Sequence, residues 1–187
     1  MITRIELADI PVLETQRLLL KRLSLNDADD VFEYANDDDI TKYVIWDRHR
    51  SKQASIDFIN FAAEQFKLGE AIVWGIEIKA ERKVIGTIDL RNYNGNNKCA
   101  DTGYCISKKY WGKGFTTEAL KAVIDFGFER LYLNRIEAHC EEENTGSWRV
   151  MEKVGMKFEG VLREKVFVKE RFRSMKMYSI LRSEYYK

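Results

Sequence analysis

The spacing of the hydrophobic residues changes twice along this chain, and this change restricts the folds that the chain can adopt. Apolar residues recur every three or four positions over about 52–68, which predicts a helix. From Ile72 to Leu90 they alternate with other residues, which predicts two strands joined by a tight turn at 81–83. Helical spacing returns after Phe115. The pattern therefore excludes an all-helical or an all-strand protein.

Further elements complete a mixed α/β pattern. A helix cap at Asn26 or Asp27 precedes a short helix, and Gly155 ends another one. A strand, a long helix and a second strand follow each other in the middle of the chain, which is a crossover unit. The remaining predicted strands cover about 17–25, 101–107, 135–141, 158–168 and 172–181, and the remaining helices about 115–131 and 146–154.

Composition indicates one ordinary globular domain that spans 1–187. The chain has 187 residues, a single proline and no linker-like stretch. A net charge of +1 argues against a protein that binds nucleic acid non-specifically. Three cysteines and two histidines form no disulfide framework and no zinc motif, so no metal is expected. The first residues resemble no signal peptide and no apolar run could span a bilayer, so we expect a cytoplasmic protein.

The segment from Lys109 to Gly114 lies between a predicted strand and the long helix. Its glycines, Gly112 and Gly114, allow a tight backbone that directs N–H groups outward at a helix N-terminus, where anions bind. A simple strand-to-helix turn is the alternative. The segment is not a Walker loop, because Lys113 is followed by glycine, and it is not a Rossmann fingerprint, because position 117 is threonine.

Several longer stretches resemble the GNAT family of N-acetyltransferases. Residues 104–120 resemble motif A of that family, and residues 134–147 and 152–160 resemble motif B. Residues 14–22, Glu-Thr-Gln-Arg-Leu-Leu-Leu-Lys-Arg, resemble the first strand of the branch that includes the RimJ and RimL ribosomal-protein N-acetyltransferases. The resemblance implies a twisted, mostly antiparallel central sheet of about seven strands, flanked by about four helices.

The resemblance also implies that the chain binds acetyl-CoA. The family's pyrophosphate loop falls on Lys109–Gly114, with Lys109 at a position where glutamine or arginine is usual. A lysine keeps the positive charge and loses the planar fork. The pantetheine arm would run beside residues 105–107, and Asn144 would meet it or cap the next helix. The residues expected to bind the co-substrate are Cys105, Ile106, Ser107, Lys109, Trp111, Gly112, Lys113, Gly114, Phe115, Thr117, Asn144 and Ser147.

The expected reaction is a direct transfer of the acetyl group to an amine, without an acyl-enzyme. Asp101 is the first candidate for the base that deprotonates the amine, and a solvated carboxylate at the strand edge is its alternative role. Glu137 and His139 are weaker candidates for a proton relay. Ser147 aligns with a serine proposed as the acid for the CoA thiolate, and an ordinary serine in the first turn of a helix is the alternative.

The acceptor side is expected to come from the N-terminal helices and the final hairpin. Trp46 and Asp47 lie in an acidic, aromatic stretch that would suit a cationic amine, and a solvated helix end is the alternative interpretation. Trp74 would line the floor of the cleft or fill the core. A basic patch formed by Lys108, Lys109, Lys113 and Lys121 would attract the CoA phosphates or be a solvated face.

The preferred function is acetyl transfer from acetyl-CoA to the α-amine of a protein or peptide N-terminus. A small-molecule acceptor, such as a polyamine, an aminoglycoside or an amino acid, is the enzymatic alternative. A non-catalytic module that binds acyl-CoA is an alternative of another class. The expected partners are acetyl-CoA and an amine, with no nucleic acid and no membrane, and a homodimer is one of the oligomeric states considered.

Overall fold

The computed structural model describes residue 5 and residues 7–186. Its centre is an eight-stranded sheet with the order β1-β2-β3-β4-β5-β6-β8-β7. The pair β5–β6 is parallel and every other described pair is antiparallel. The strands are β1 (Leu13–Glu14), β2 (Leu18–Arg22), β3 (Ala71–Ile78), β4 (Lys83–Asn94), β5 (Cys99–Ile106), β6 (Arg135–Glu141), β7 (Lys157–Val168) and β8 (Arg171–Leu181).

Six helices flank the sheet in the described part of the chain. They are α1 (Ala28–Ala35), α2 (Asp38–Thr41), α3 (Lys52–Lys67), α4 (Phe115–Glu129), α5 (Thr145–Lys153) and α6 (Arg182–Tyr185). Helix α4 buries Leu120, Val123, Ile124 and Gly127 against the sheet, as its periodicity predicts. Gly127 has to be small, because a Cβ atom there would lie 2.8 Å from Cδ1 of Ile136.

The hydrophobic core has two parts on opposite faces of the sheet. The α4 face carries the larger part, which combines residues of α4 and α5 with Ile136, Ala138 and Ile180 of the sheet. The α1 face carries the smaller part, in which Val31 and Ile59 pack with Val84. Burial of these apolar side chains supplies the main driving force for folding.

Strands β5 and β6 separate soon after they pair. Their parallel pairing extends only from Cys99 to Asp101 on β5 and from Arg135 to Glu137 on β6. Beyond that point β5 continues to pair with β4 as far as Ile106. The sheet therefore has a gap between β5 and β6 beyond Asp101 and Glu137.

The predicted mixed α/β class and GNAT-type sheet are confirmed, with small differences in the elements. The eighth strand is the two-residue β1, and the two additional helices, α2 and α6, have four residues each. The first predicted strand reached residue 25 but ends at Arg22, because Asp27 accepts hydrogen bonds from the N–H and hydroxyl of Ser24 and fixes a turn there. None of the described helices has both the length and the apolar character to cross a membrane.

Candidate active site

The loop before α4 has the backbone conformation that its glycines predict. Gly112 and Gly114 have φ values of 73° and 81°, in the left-handed region that favours glycine. Open space surrounds a Cβ atom built at Gly112, so conformation and not crowding selects glycine there. Gly114 is the N-cap of α4, whose first N–H groups have no acceptor within the helix. This N-terminus has the geometry and the dipole of an anion site.

A cavity of about 390 Å³ opens beside this loop, at the gap between β5 and β6. It is lined by the ends of β5 and α2, the loop before α4 and the start of α5. Six of the predicted co-substrate residues line it: Cys105, Ile106, Trp111, Gly112, Asn144 and Ser147. The other lining residues are Asp39, Ile40, Tyr43, Val44, Tyr104, Thr116, Glu143, Thr145, Gly146 and Val150.

Asn144 and Ser147 are held by contacts at the start of α5. The side chain of Asn144 accepts a hydrogen bond of 3.2 Å from the N–H of Ser147, so Asn144 caps the helix. Asn144 also lines the cavity, so the predicted capping role and the position expected for a pantetheine contact coincide.

Tyr104 is a residue of the cavity that sequence reasoning missed. Its hydroxyl lies 2.9 Å from the carbonyl oxygen of Ser147 and 3.1 Å from the Ser147 hydroxyl. Burial raises the pKa of Tyr104 well above its usual value, so the phenol stays protonated. Strand alternation, which places Tyr104 and Ile106 on one face, was the available signal; the partner 43 residues away was not visible.

Asp101 lies at the closed end of the gap and does not line the cavity. It pairs with Arg91 of β4 and Glu137 of β6, the last pair before β5 and β6 separate. Its carboxylate accepts a hydrogen bond of 2.7 Å from Asn92. The pairing of β5 with β4 is unbroken from Asp101 to Ile106, so no bulge intervenes and Asp101 belongs to the α1 face with Cys105. The base candidate Asp101 and the acid candidate Ser147 are thus reached from opposite faces.

His139 and Glu137 share the α1 face with Asp101. Burial and the nearby Arg91 guanidinium lower the pKa of His139, while the carboxylates of Asp101 and Glu137 act in the opposite direction. His139 is therefore mostly neutral near pH 7 and able to accept a proton. Glu137 and His139 share a face of β6, as the sequence predicts, and their role in proton transfer stays a prediction.

Asp89 is a second group on the α1 face that the sequence analysis did not identify. Its carboxylate accepts hydrogen bonds from the N–H of Gly103, at 3.0 Å, and from Arg91, at 2.7 Å. Burial raises the pKa of Asp89 to about 6, although Arg91 and the Gly103 N–H oppose that shift. No local motif marks Asp89, because its partners come from two strands.

Two lysines of the predicted basic patch, Lys108 and Lys109, pair with carboxylates of α1 and α2. Lys109 donates a hydrogen bond of 2.7 Å to Glu33 of α1, and Lys108 forms an ion pair with Asp39 of α2. The ammonium of Lys113 lies 5.2 Å from the ring centre of Tyr110. The charges of Lys108 and Lys109 therefore face carboxylates and are not directed at the loop before α4. The CoA contact predicted for Lys109 would require the lysine to leave Glu33.

The three residues predicted for the acceptor do not line the cavity. Trp74 is fully buried and its indole N–H donates to the carbonyl of Pro11, so of the two predicted alternatives it fills the core, and its assignment as a substrate-binding residue is wrong. Trp46 packs against the ring of His49, and Asp47 is exposed.

Two of the residues predicted to bind the co-substrate are buried. Phe115 is buried, which leaves only its backbone to meet a ligand. Ser107 is buried, its N–H bonded to the carbonyl of Ile85.

Among the described residues, no group of three or more histidine, cysteine, aspartate or glutamate side chains could hold a metal ion. The cysteine thiols are not activated either, since burial raises the pKa of Cys105 and of Cys140. The arrangement that remains is a helix N-terminus suited to an anion, a cavity at an open strand edge, and candidate acid and base groups on two faces.

Comparison with known proteins assigns a family to this arrangement. The profile described as Acetyltransferase (GNAT) domain matches residues 17–157. The uncharacterized N-acetyltransferase p20 of Bacillus licheniformis is 36% identical over 173 residues, which are 92% of this chain and 97% of that protein. The crystal structure of a GNAT-family acetyltransferase from Bacillus anthracis superposes with a TM-score of 0.83 and 29% identity, covering 93% of this chain and 100% of that one.

Two further relatives have different acceptors in their names. The protein named "Putative ribosomal N-acetyltransferase YdaF" from Bacillus subtilis is 35% identical over 100 residues, 54% of this chain and 55% of its own. A spermidine N(1)-acetyltransferase of Vibrio cholerae is 30% identical over 106 residues, 57% of this chain and 61% of its own. The profile match covers most of the chain and agrees with the fold. The chain therefore belongs to the GNAT family, in which it resembles the RimJ/RimL-like branch, and is an acetyl-CoA-dependent N-acetyltransferase.

Proposed function

We propose that this enzyme transfers the acetyl group of acetyl-CoA to the α-amine of a protein or peptide N-terminus. The observation that carries the proposal is the gap between β5 and β6, with an anion-binding helix end on one side and Asp101, Glu137 and His139 on the other. Acetyl-CoA on the α4 face and an amine on the α1 face would meet inside this gap.

The co-substrate would lie along the open edge of β5. Residues 102–106 do not pair with β6, so backbone groups on that edge are free of strand partners there. An extended pantetheine arm would use such an edge as an added strand does. The pyrophosphate would then meet the N–H groups of Gly112, Gly114 and Phe115 at the start of α4. Thr116 and Thr117 follow as hydroxyl donors in the first turn of the helix.

Asp101 is proposed as the base, because it lies where the gap begins. As the amine nitrogen bonds to the thioester carbon and the carbon–sulfur bond breaks, the amine proton passes to Asp101 directly or through water. An α-amine has a pKa of about 8, against about 10.4 for a lysine amine. A carboxylate with a neutral histidine nearby is therefore better matched to an α-amine.

The Ser147 hydroxyl is proposed as the acid that protonates the departing CoA thiolate. Tyr104 contacts this hydroxyl and stays protonated, so it could replace the proton that Ser147 gives up. The pair lies in the cavity, at the end of β5 where the pantetheine thiol is expected.

A small polyamine is the second candidate acceptor. The carboxylates of Asp101 and Glu137 share the α1 face, and a spermidine N(1)-acetyltransferase is among the relatives. The resemblance of residues 14–22 to the RimJ/RimL branch and the similarity to YdaF favour the N-terminal α-amine.

The deciding experiment compares acceptors with the purified protein and acetyl-CoA. The panel contains peptides with free N-termini, the same peptides with blocked N-termini, spermidine and an aminoglycoside, and mass spectrometry locates the acetyl group. The proposal expects acetylation of free α-amines and none of the blocked peptides. A higher kcat/KM for spermidine than for every peptide would overturn it. One domain over 1–187, a cytoplasmic location and a homodimer stay predictions.

A further inference from the structure

Residues 14–22, which resemble the first strand of the RimJ/RimL branch, contain two side chains that contact the start of α4. The proposed reaction does not use these contacts. Thr15 and Arg17 lie in the turn between β1 and β2, about 100 residues before α4 in sequence. Both contact Glu118, in the first turn of α4. The Thr15 hydroxyl donates to Oε1 of Glu118 at 2.6 Å, the Arg17 N–H to the same oxygen at 2.9 Å, and Arg17 Nε to Oε2 at 2.6 Å.

Arg17 also contacts the loop before α4 directly. Its Nη1 donates a hydrogen bond of 3.0 Å to the carbonyl of Lys113, and its guanidinium carbon lies 4.3 Å from the ring centre of Phe115. Because the peptide bond is planar and trans, fixing the carbonyl of Lys113 also fixes the opposite direction for the N–H of Gly114. One side chain thus sets the orientation of a peptide in the anion-binding loop.

The negative charge of Glu118 makes its contact with Arg17 important for the binding of an anion at the start of α4. A carboxylate in the first turn stabilises a helix N-terminus, but it also repels an anion that binds there. The contacts with Thr15 and Arg17 outweigh burial and lower the pKa of Glu118, so this carboxylate is ionised at neutral pH. Without Arg17, its negative charge would face the pyrophosphate uncompensated.

We propose that Arg17 is a positioning residue for acetyl-CoA, which orients the Lys113–Gly114 peptide and offsets the charge of Glu118 at the pyrophosphate site. Arg17 acts through the loop and through Glu118, and the proposal assigns it no contact with the acetyl group. The inference rests on the binding of acetyl-CoA and is independent of the acceptor.

The test measures binding of CoA and of pantetheine, which lacks the pyrophosphate, by calorimetric titration. We expect Arg17→Gln to raise the Kd for CoA about tenfold, since it exposes a like charge at a helix N-terminus. The Kd for pantetheine should stay unchanged. Arg17→Gln combined with Glu118→Gln should recover most of the lost affinity, because the repelling charge is gone. Arg17→Lys, which keeps the charge without the fork, should bind CoA with intermediate affinity.

Arg22→Gln is the matched control, because Arg22 is an arginine at the far end of β2, the strand that follows Arg17, and pairs with Asp9. It should leave both Kd values unchanged, and thermal unfolding of every variant reports damage to the fold. The inference is overturned if Arg17→Gln leaves the CoA Kd unchanged, if it weakens pantetheine by the same factor, or if the double variant binds CoA no better than Arg17→Gln. A wild-type protein that binds no CoA would instead refute the co-substrate assignment on which the inference rests.

Discussion

The two sides of the gap between β5 and β6 differ in the groups that they present: backbone groups on the α4 face and side chains on the α1 face. On the α4 face, the proposed anion site consists of consecutive backbone groups, with Gly112 and Gly114 at positive φ before a helix N-terminus. On the α1 face, the proposed base Asp101 and the titratable groups around it, such as Asp89 and His139, are side chains that come from three strands. The first site depends on local conformation, and the second on the register of the sheet. The two sites should therefore fail separately when they are mutated.

The sharpest separation is expected from Gly112→Asp with Gly114→Asp. Each substitution places a side chain at positive φ, which costs about 1–2 kcal/mol, and adds a negative charge at the anion site. The strain lowers the stability of the fold, whereas the two added charges act on the ligand: at up to about 2 kcal/mol each, they should weaken CoA binding by up to about 4 kcal/mol, or about 1,000-fold, as measured by calorimetry. Gly155→Asp is the matched control, because Gly155 also has positive φ, at 89°, and lies at the end of α5. If the control loses CoA to the same degree, the anion-site interpretation fails.

Asp101→Asn should impair catalysis on the α1 face and leave CoA binding on the α4 face intact. Loss of the proposed base should lower kcat about 100-fold or more, while the Kd for CoA stays unchanged. Steady-state kinetics and calorimetry on one preparation measure the two effects. Glu129→Gln, which changes an exposed carboxylate at the far end of α4, serves as control and should keep full activity. An Asp101→Asn protein with wild-type kcat would contradict the role of base and would remove the main argument for a catalytic α1 face.

Asp89 on the α1 face should make the free energy of unfolding depend on pH. Folding raises the pKa of Asp89 from 3.8 to about 6, so the folded protein holds this proton more tightly than the unfolded chain. The resulting contribution to stability is complete below pH 4 and is lost as the pH rises through 6. Relative to wild type, Asp89→Asn should thus gain about 2 kcal/mol in the free energy of unfolding between pH 4 and pH 7. Urea unfolding at both pH values measures this difference, and an equal difference at both would contradict the prediction.

The smallest effect on kcat is expected from the two hydroxyl groups in the cavity, those of Ser147 and Tyr104. Ser147→Ala removes the proposed acid and Tyr104→Phe removes the hydroxyl that contacts it, so each should lower kcat about tenfold. The double variant should be little worse than either single variant, because the two hydroxyls act as one unit. Kinetics with a fixed acceptor measure this coupling. Fully additive losses would show that the hydroxyls act independently.

The same difference explains what could be predicted from the sequence. Helix α3, strand β6 and the loop before α4 agree with prediction within a residue or so, because periodicity and glycine spacing are local signals. The contacts of Ser147 with Tyr104 and of Arg17 with Glu118 join residues 43 and 101 positions apart. The burial of Trp74 likewise depends on elements that only the folded sheet brings together. Such pairings arise from tertiary packing, for which a single sequence carries no local signal.

The gap between β5 and β6 also has a consequence for inhibitor design. A compound that joins CoA through its sulfur to an acceptor amine would place one half on each face, with the connecting atoms inside the gap. Binding of the first half would bring the second to a high effective concentration at its own site. That gain depends on a linker that spans the sheet at this position. Inhibition constants for a series of linkers of increasing length would therefore have an optimum. The optimal length would give the distance between the CoA sulfur and the acceptor amine.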